Sequence, residues 1–91
     1  MNKQELIDVI ASKTNLSKAE STHALNAMTD TITSALASGN TVQLMDFGSF
    51  VVRERAERTG RNPQTGETLQ IKAYKVAAFK PSRHLKAVVN R

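Results

Sequence analysis

The hydrophobic residues of this chain change their spacing at about residue 40. Before that point Leu25, Met28 and Ile32 recur every three or four residues, as residues do on one face of a helix. After it, Val42 and Leu44 alternate with polar residues, as in a strand with one buried face. A helical half followed by strands predicts an α+β fold.

Two short patterns mark where helices begin. Asn2 is followed three residues later by Glu5, which is the spacing of a capping box. Ser17 and Glu20 repeat that spacing at the start of the longer hydrophobic stripe. The patterns predict a first helix that ends at about residue 13 and a second of about twenty residues that ends before Gly39.

These signals divide a single 91-residue domain into three parts. Residues 1–39 form an antiparallel helical hairpin, because about four residues join the two helices. Residues 40–80 form a three-stranded antiparallel sheet, whose last strand returns over residues 68–80, with a long extended β-arm at about 54–75. Residues 81–91 form a short C-terminal helix.

The arm, residues 54–75, is charged along both strands, and this charge protects its edges from pairing with other chains. Its tip, TGRNPQTGE at residues 59–67, has no hydrophobic residue. Pro63 followed by Gly66 is good turn chemistry, which is the plain interpretation of the tip. A rigid apolar ring at a hairpin tip also fits insertion between the base steps of a duplex, and the residues alone leave both interpretations open.

The rest of the chain is too small to be stable by itself. Without the 22 residues of the arm, 69 residues remain, and they contain no cysteine for a disulfide. A single core below about 70–80 residues rarely supplies more than a few kcal/mol, so dimerisation is predicted. The predicted dimer core consists of Leu25, Met28, Ile32, Leu36, Leu44, Phe47, Phe50 and Phe79.

The net charge of +5 is divided unevenly along the chain. Residues 1–46 carry three lysines against five acids, a net charge of −2, whereas residues 47–91 carry ten cations against three acids, a net charge of +7. This asymmetry predicts a polyanionic partner, with nucleic acid first and an anionic membrane surface second.

Other classes of function fit the sequence less well. A basic adaptor for a membrane or an acidic protein explains neither the proline tip nor the length of the arm, and a binder of RNA or single strands would use more stacking aromatics than Tyr74. His23 and His84 belong to no triad or ligand set, so neither an enzyme, nor a metal, nor a cofactor is expected. No apolar run reaches the roughly 18 residues of a membrane span, and a cytoplasmic location is expected.

Four segments carry a resemblance to a known family. GRNPQTGE (60–67), preceded by RERAERT (53–59), resembles the arm of the HU and integration-host-factor family of bacterial DNA-bending proteins. DFGSF (46–50) resembles the family's GFGxF turn, FKPSRHLK (79–86) its FxPGKxLK segment, and MNKQELID its N-terminus, so that the resemblance covers essentially the whole chain.

The resemblance, closest to HU, implies a function and an assembly. It implies an intertwined dimer that bends and compacts double-stranded DNA with little sequence specificity, prefers distorted DNA, and associates with the bacterial nucleoid. A subunit of a sequence-specific heterodimer like integration host factor is the alternative. Pairing with itself or with a paralogue is left open.

The resemblance also implies which residues bind DNA. Pro63 becomes the intercalating wedge, with Arg61 and Asn62 beside it in the minor groove; this family is a known example of such insertion. The remaining implied DNA-binding residues are Lys3, Arg53, Arg55, Arg58, Lys72, Lys75, Lys80, Arg83 and Lys86.

Three residues depart from the family pattern. Asp46 and Ser82 stand where glycine is usual, and Ala77 stands where proline is common. An acid at position 46 would either weaken phosphate contact or serve only as a turn residue. Ser82 is a good N-cap, so the start of the C-terminal helix is expected to survive with changed geometry.

Overall fold

Helices and strands follow one another in the order that the spacing of hydrophobic residues predicts. The computed structural model describes all 91 residues. Its elements are α1 (Lys3–Thr14), α2 (Lys18–Ala37), β1 (Val42–Leu44), β2 (Gly48–Arg55), β3 (Arg58–Arg61), β4 (Thr68–Ile71), β5 (Tyr74–Pro81) and α3 (Arg83–Val89). They belong to two compact units, Met1–Ala35 and Leu36–Arg91. The α+β class and the order of its parts are confirmed.

Both predicted helix starts are confirmed. Asn2 caps α1, because its side-chain oxygen accepts a hydrogen bond of 2.9 Å from the backbone N–H of Glu5. Ahead of α2, the Ser17 N–H donates to the Glu20 carboxylate and the Glu20 N–H donates to the Ser17 hydroxyl, each over 3.0 Å, which completes a reciprocal capping box. Beyond α2, Gly39 has the predicted positive φ of 83°. No helix is long and apolar enough to cross a membrane.

Two polar contacts show that α1 and α2 form the predicted antiparallel pair. The Lys3 ammonium, at the start of α1, donates to the side-chain oxygen of Asn26, near the middle of α2, over 2.6 Å. Further along α1, the Asp8 carboxylate lies 3.4 Å from the Lys18 ammonium, at the start of α2. Since residue numbers rise along one helix as they fall along the other, the two helices run in opposite directions.

The sheet has the predicted three antiparallel strands, in the order β1-β2-β5. Strands β2 and β5 pair over eight residues, from Gly48 opposite Pro81 to Arg55 opposite Tyr74. The turn between β1 and β2 occupies residues 45–47 and includes Phe47. The Phe47 N–H donates to the carbonyl of Leu44, the last residue of β1, and this contact closes the turn.

The arm continues from β2 and β5, but its ladder is interrupted. Four further pairs join β3 to β4, from Arg58 opposite Ile71 to the tip. Residues 56–57 and 72–73 lie between the two ladders and belong to no strand. The prediction of one continuous returning strand over residues 68–80 is therefore wrong at this break. Ala56 and Ala73 have short side chains that offer little cross-strand packing, which is a physical reason for the interruption.

A single chain buries very few of its hydrophobic side chains. Ile7, at 4% exposure, is the only fully buried one, and the rings of Phe50 and Phe47 lie 5.0 and 5.3 Å from that of Phe79 in a partly open cluster. Of the predicted dimer-core residues, the half-buried ones are Leu25, Ile32, Leu36, Leu44 and Phe50, and the exposed ones are Met28, Phe47 and Phe79.

Candidate nucleic-acid interface

The register of β2 against β5 assigns the cations at the base of the arm to the faces of the sheet. Successive side chains of a strand point to opposite faces, and paired residues share a face. Since Ser49 pairs with Lys80, the side chains of Lys80, Arg53 and Arg55 share one face. Lys75 pairs with Glu54 and lies on the other face, which is the face of the phenylalanine cluster. The structure therefore groups three of the predicted phosphate-binding residues and separates Lys75 from them.

The outer hairpin, which is β3, β4 and the loop of residues 62–67, carries an arginine on each face. Arg58 pairs with Ile71 and shares its face with Leu69. Arg61 pairs with Thr68, on the opposite face. A two-stranded ribbon in a groove is bordered by two phosphate strands, so a cation on each face has phosphates within reach.

A side-chain contact that sequence reasoning missed joins the two strands beside the break in the ladder. The Gln70 amide donates a hydrogen bond to the Glu57 carboxylate. The partners are 13 residues apart, and no motif marks such a pair. Glu57 also lines an open cavity of about 540 Å³, together with Arg55, Ala56, Arg58 and Tyr74. Lys72 lies in the unpaired segment across from it.

The tip of the arm is held by short-range hydrogen bonds. The Asn62 N–H donates to the Glu67 carbonyl over 2.8 Å, and the Gly66 N–H donates to the Asn62 carbonyl over 2.7 Å. The Asn62 side-chain oxygen accepts from the Gln64 N–H over 2.9 Å, and Gly66 has a φ of 74°. Pro63 is exposed at the head of this turn. Its role as a turn residue is visible, and its ring is open to a partner, as insertion requires.

The remaining predicted DNA-binding residues lie on helices. Arg83 and Lys86 are three positions apart on α3, which places them on one side of that helix. Lys3 belongs to the other compact unit, where its ammonium already bonds Asn26. Of the twelve predicted DNA-binding residues, only Asn62 is half-buried, and the others are exposed.

No arm cation is neutralised by an acid of its own chain. The only ion pair in the structure joins Lys18 to Asp8, far from the arm in sequence. Glu54, Glu57 and Glu67 are present in the arm, yet none lies within ion-pair distance of an arginine or lysine. The arm therefore keeps its positive charge for an external partner.

Known proteins share this fold, including its arm. The sequence profile of the bacterial DNA-binding protein family matches residues 1–90. The chain is 56% identical over 89 residues to the DNA-binding protein HU of Geobacillus stearothermophilus, covering 98% of this chain and 99% of the relative. It is 53% identical over 89 residues to the DNA-binding protein HU 1 of Bacillus subtilis, with 98% and 97% covered.

Solved structures give the same result. A structure of Anabaena HU cocrystallised with DNA matches with a TM-score of 0.90 and 43% identity, covering 98% of this chain and 97% of the other. HU from Thermotoga maritima matches with a TM-score of 0.71 and 36% identity, with 98% of each chain covered. The fold and its surface thus define the class of protein: a small basic α+β domain with a cationic two-stranded arm. The chain belongs to the HU family of bacterial DNA-binding proteins.

Proposed function

We propose that this chain is an architectural protein that bends and compacts double-stranded DNA with little sequence specificity. The observation that carries the proposal is the arm, whose five exposed arginines and lysines have no carboxylate within ion-pair distance. Cations of this kind bind DNA by displacing the counterions that surround its phosphates. The Anabaena relative, whose chain superimposes with a TM-score of 0.90, was cocrystallised with DNA.

The twelve residues take different roles in this binding. Pro63 inserts between base steps at the tip, and Arg61 and Asn62 lie in the minor groove beside it. An apolar wedge of this kind unstacks a step and kinks the duplex, as is known for this family. Phosphates along the arm are bound by Arg53, Arg55, Arg58, Lys72 and Lys75. Flanking DNA is bound on the body of the protein by Lys3, Lys80, Arg83 and Lys86.

The protein acts as an intertwined dimer. A single chain exposes 7536 Å². A folded monomer of 10.0 kDa is expected to expose about 5,200 Å², so the chain carries roughly 2,300 Å² of additional surface. The arm accounts for part of it, and a shared hydrophobic interface accounts for the rest, since stable homodimers commonly bury about 2,000–5,000 Å² in total.

Each part of the single domain, residues 1–91, has its own task in that dimer. Residues 1–39 form the dimerisation base, residues 40–80 the sheet with its arm at about 54–75, and residues 81–91 the C-terminal helix. We propose a homodimer, with a paralogue as the alternative partner. DNA compaction of this kind places the protein in the bacterial cytoplasm, on the nucleoid.

The proposed function predicts tighter binding to DNA that is already distorted. Bending an intact duplex site costs about 1–6 kcal/mol, and a nick or a junction removes part of that cost beforehand. The minor groove distinguishes little beyond A·T from G·C pairs, so shape rather than sequence decides affinity.

The test is a gel-shift series with one purified chain and linear, nicked and four-way DNA of matched length. We expect the nicked and four-way DNA to bind more tightly than the linear duplex, and two unrelated linear sequences to bind alike. Equal affinity for intact and distorted DNA would contradict the shape preference. A strong preference for one sequence would favour the alternative that resembles integration host factor.

Two parallel measurements complete the test. Anionic vesicles are titrated under the same conditions, and binding to vesicles without binding to DNA would replace DNA by a membrane surface as the partner. Sedimentation at micromolar concentration tests the assembly. A folded monomer at that concentration would contradict the proposed dimer.

A further inference from the structure

A single serine joins the turn between β1 and β2 to the start of α3. The Ser82 hydroxyl donates to the Asp46 carbonyl over 2.9 Å, and the Ser82 N–H donates to the Phe47 carbonyl over 2.9 Å. The same hydroxyl oxygen accepts from the Leu85 N–H over 3.0 Å, which makes Ser82 the N-cap of α3. We call the contacts of Ser82 with Asp46 and Phe47 the Ser82 clasp.

The clasp holds a backbone turn that is costly for the residue in it. Asp46 has a φ of 62°, in the left-handed region that glycine adopts freely and aspartate or asparagine only occasionally. The hydroxyl of Ser82 uses its one proton on the carbonyl of this residue and an acceptor site on the helix. The two residues that depart from the glycines usual at these positions are therefore bonded to each other, and a glycine at position 82 would have no hydroxyl for the contact.

Helix α3 depends on such an anchor. It has seven residues, and a helix this short is unstable in water without tertiary contacts. Arg83 follows Ser82 directly, and Lys86 lies one turn further along. The direction in which these two cations point is thus determined by how the first turn of α3 is held against the sheet.

We propose that Ser82 is a positioning residue for DNA binding. Its hydroxyl ties α3 to the Asp46 turn and so fixes where Arg83 and Lys86 present their charges to the phosphates. The inference rests on the proposed function, because it concerns how a set of cations meets DNA. It assigns to the Asp46 turn the task of supplying the carbonyl that Ser82 binds.

Three substitutions separate the clasp from the helix cap. Ser82→Thr keeps the hydroxyl and serves as the conservative control. Ser82→Gly removes the hydroxyl, but glycine is nearly as good an N-cap as serine. Ser82→Ala removes the hydroxyl's bond to Asp46 and the cap, and it leaves the backbone bond to Phe47 in place. If the alanine variant does not fold, the glycine variant decides the outcome.

The first readout is the salt dependence of binding to one nicked duplex. We expect the glycine and alanine variants to bind about two- to tenfold more weakly, the range for the loss of one hydrogen bond. We also expect the slope of log affinity against log salt to fall by about one phosphate contact. The threonine variant should match the wild type in both. A loss of thermal stability with an unchanged slope would reduce Ser82 to a structural residue and overturn the proposal.

The second readout is a pair of double-mutant cycles at a temperature where every variant is folded by circular dichroism. Lys86→Ala should cost less affinity in the Ser82→Gly background than in the wild type, because the lysine is already misplaced. Arg58→Ala, on the arm, should cost the same in both backgrounds. Additive effects of Ser82→Gly and Lys86→Ala on affinity would refute the positioning role of Ser82. If Lys86→Ala and Arg58→Ala have no effect in the wild type, the proposed DNA-binding function itself fails.

Discussion

Of the four glycines, Gly48 is the one at which an added methyl group meets the most resistance. It opens β2, is buried, and pairs with Pro81 at the end of the β2–β5 ladder. A Cβ atom there would lie 2.5 Å from Cζ of the Phe79 ring and 2.6 Å from the backbone oxygen of Lys80. The ring can rotate away, but the carbonyl belongs to the paired backbone of β5 and can move only if the strand shifts.

We therefore expect Gly48→Ala to destabilise the folded dimer. Overpacking of this kind costs typically 1–3 kcal/mol, and a fixed backbone atom among the clashing neighbours argues for about 3 kcal/mol. The smaller entropy of alanine in the unfolded chain returns about 0.4–1 kcal/mol, which leaves a net loss of about 2 kcal/mol. Gly60→Ala is the matched control, because its Cβ would meet only Ile71 Cδ1, at an ordinary 3.7 Å, and its φ is not positive.

The assay is urea unfolding followed by circular dichroism, with all variants at one protomer concentration, because the stability of a dimer depends on concentration. With a slope of about 1–3 kcal/mol per molar urea, a loss of about 2 kcal/mol lowers the midpoint by roughly 1 M. The Gly60→Ala midpoint should stay at or slightly above that of the wild type. A wild-type midpoint for Gly48→Ala, or an equal fall for both variants, would refute the steric argument.

Four further substitutions test the arm and the helices. Pro63→Ala should keep most of the affinity and the salt slope but reduce the bend angle measured by FRET, and an unchanged angle would count against the wedge. Arg58→Ala should weaken binding to all sequences alike and lower the salt slope by about one, whereas a loss confined to some sequences would indicate base readout. Ser21→Ala should raise the free energy of unfolding by about 1 kcal/mol, because the Ser21 hydroxyl is fully buried without a hydrogen-bond partner; a lower urea midpoint would contradict this. Hydrogen bonds from the backbone and side chain of Ser17 lower the pKa of Glu20 below its usual 4.5. The stability from this ionised carboxylate is therefore present above pH 4.5 and is lost as the pH falls through the lower pKa of the folded state. Glu20→Gln should then reduce the fall of the urea midpoint at acidic pH. An unchanged dependence of the urea midpoint on pH would contradict the assignment.

The features that sequence patterns predicted correctly are those with local causes. A capping box lies within four residues, so Ser17 and Glu20 reveal the start of α2 without any knowledge of the rest of the fold. The same is true of Gly39, whose positive φ follows from its place just beyond a helix. The N-cap at Ser82 was likewise predictable, because serine before a helix is a strong signal.

The features that were missed depend on contacts between distant residues. Whether Lys75 shares a face with Arg53 depends on the register of β2 against β5, and a shift of one residue would reverse the answer. The break in the arm depends on four residues that alternate acceptably in sequence but form no backbone ladder pair across the ribbon. The bond between Ser82 and Asp46 spans 36 positions and follows from the fold alone.

The arm and the three-stranded sheet are stabilised in different ways, and this separates binding from folding. The outer hairpin has no interior, since Leu69 is 47% exposed and the tip is held by its own hydrogen bonds, such as that from Asn62 to Glu67. Exposed hydrogen bonds with little apolar cover open at a small cost in free energy, well below that of global unfolding. Under the proposed function, DNA supplies the packing surface that this hairpin lacks. It follows that substitutions in the arm alter affinity and bending at an unchanged unfolding midpoint, whereas Gly48→Ala lowers the midpoint.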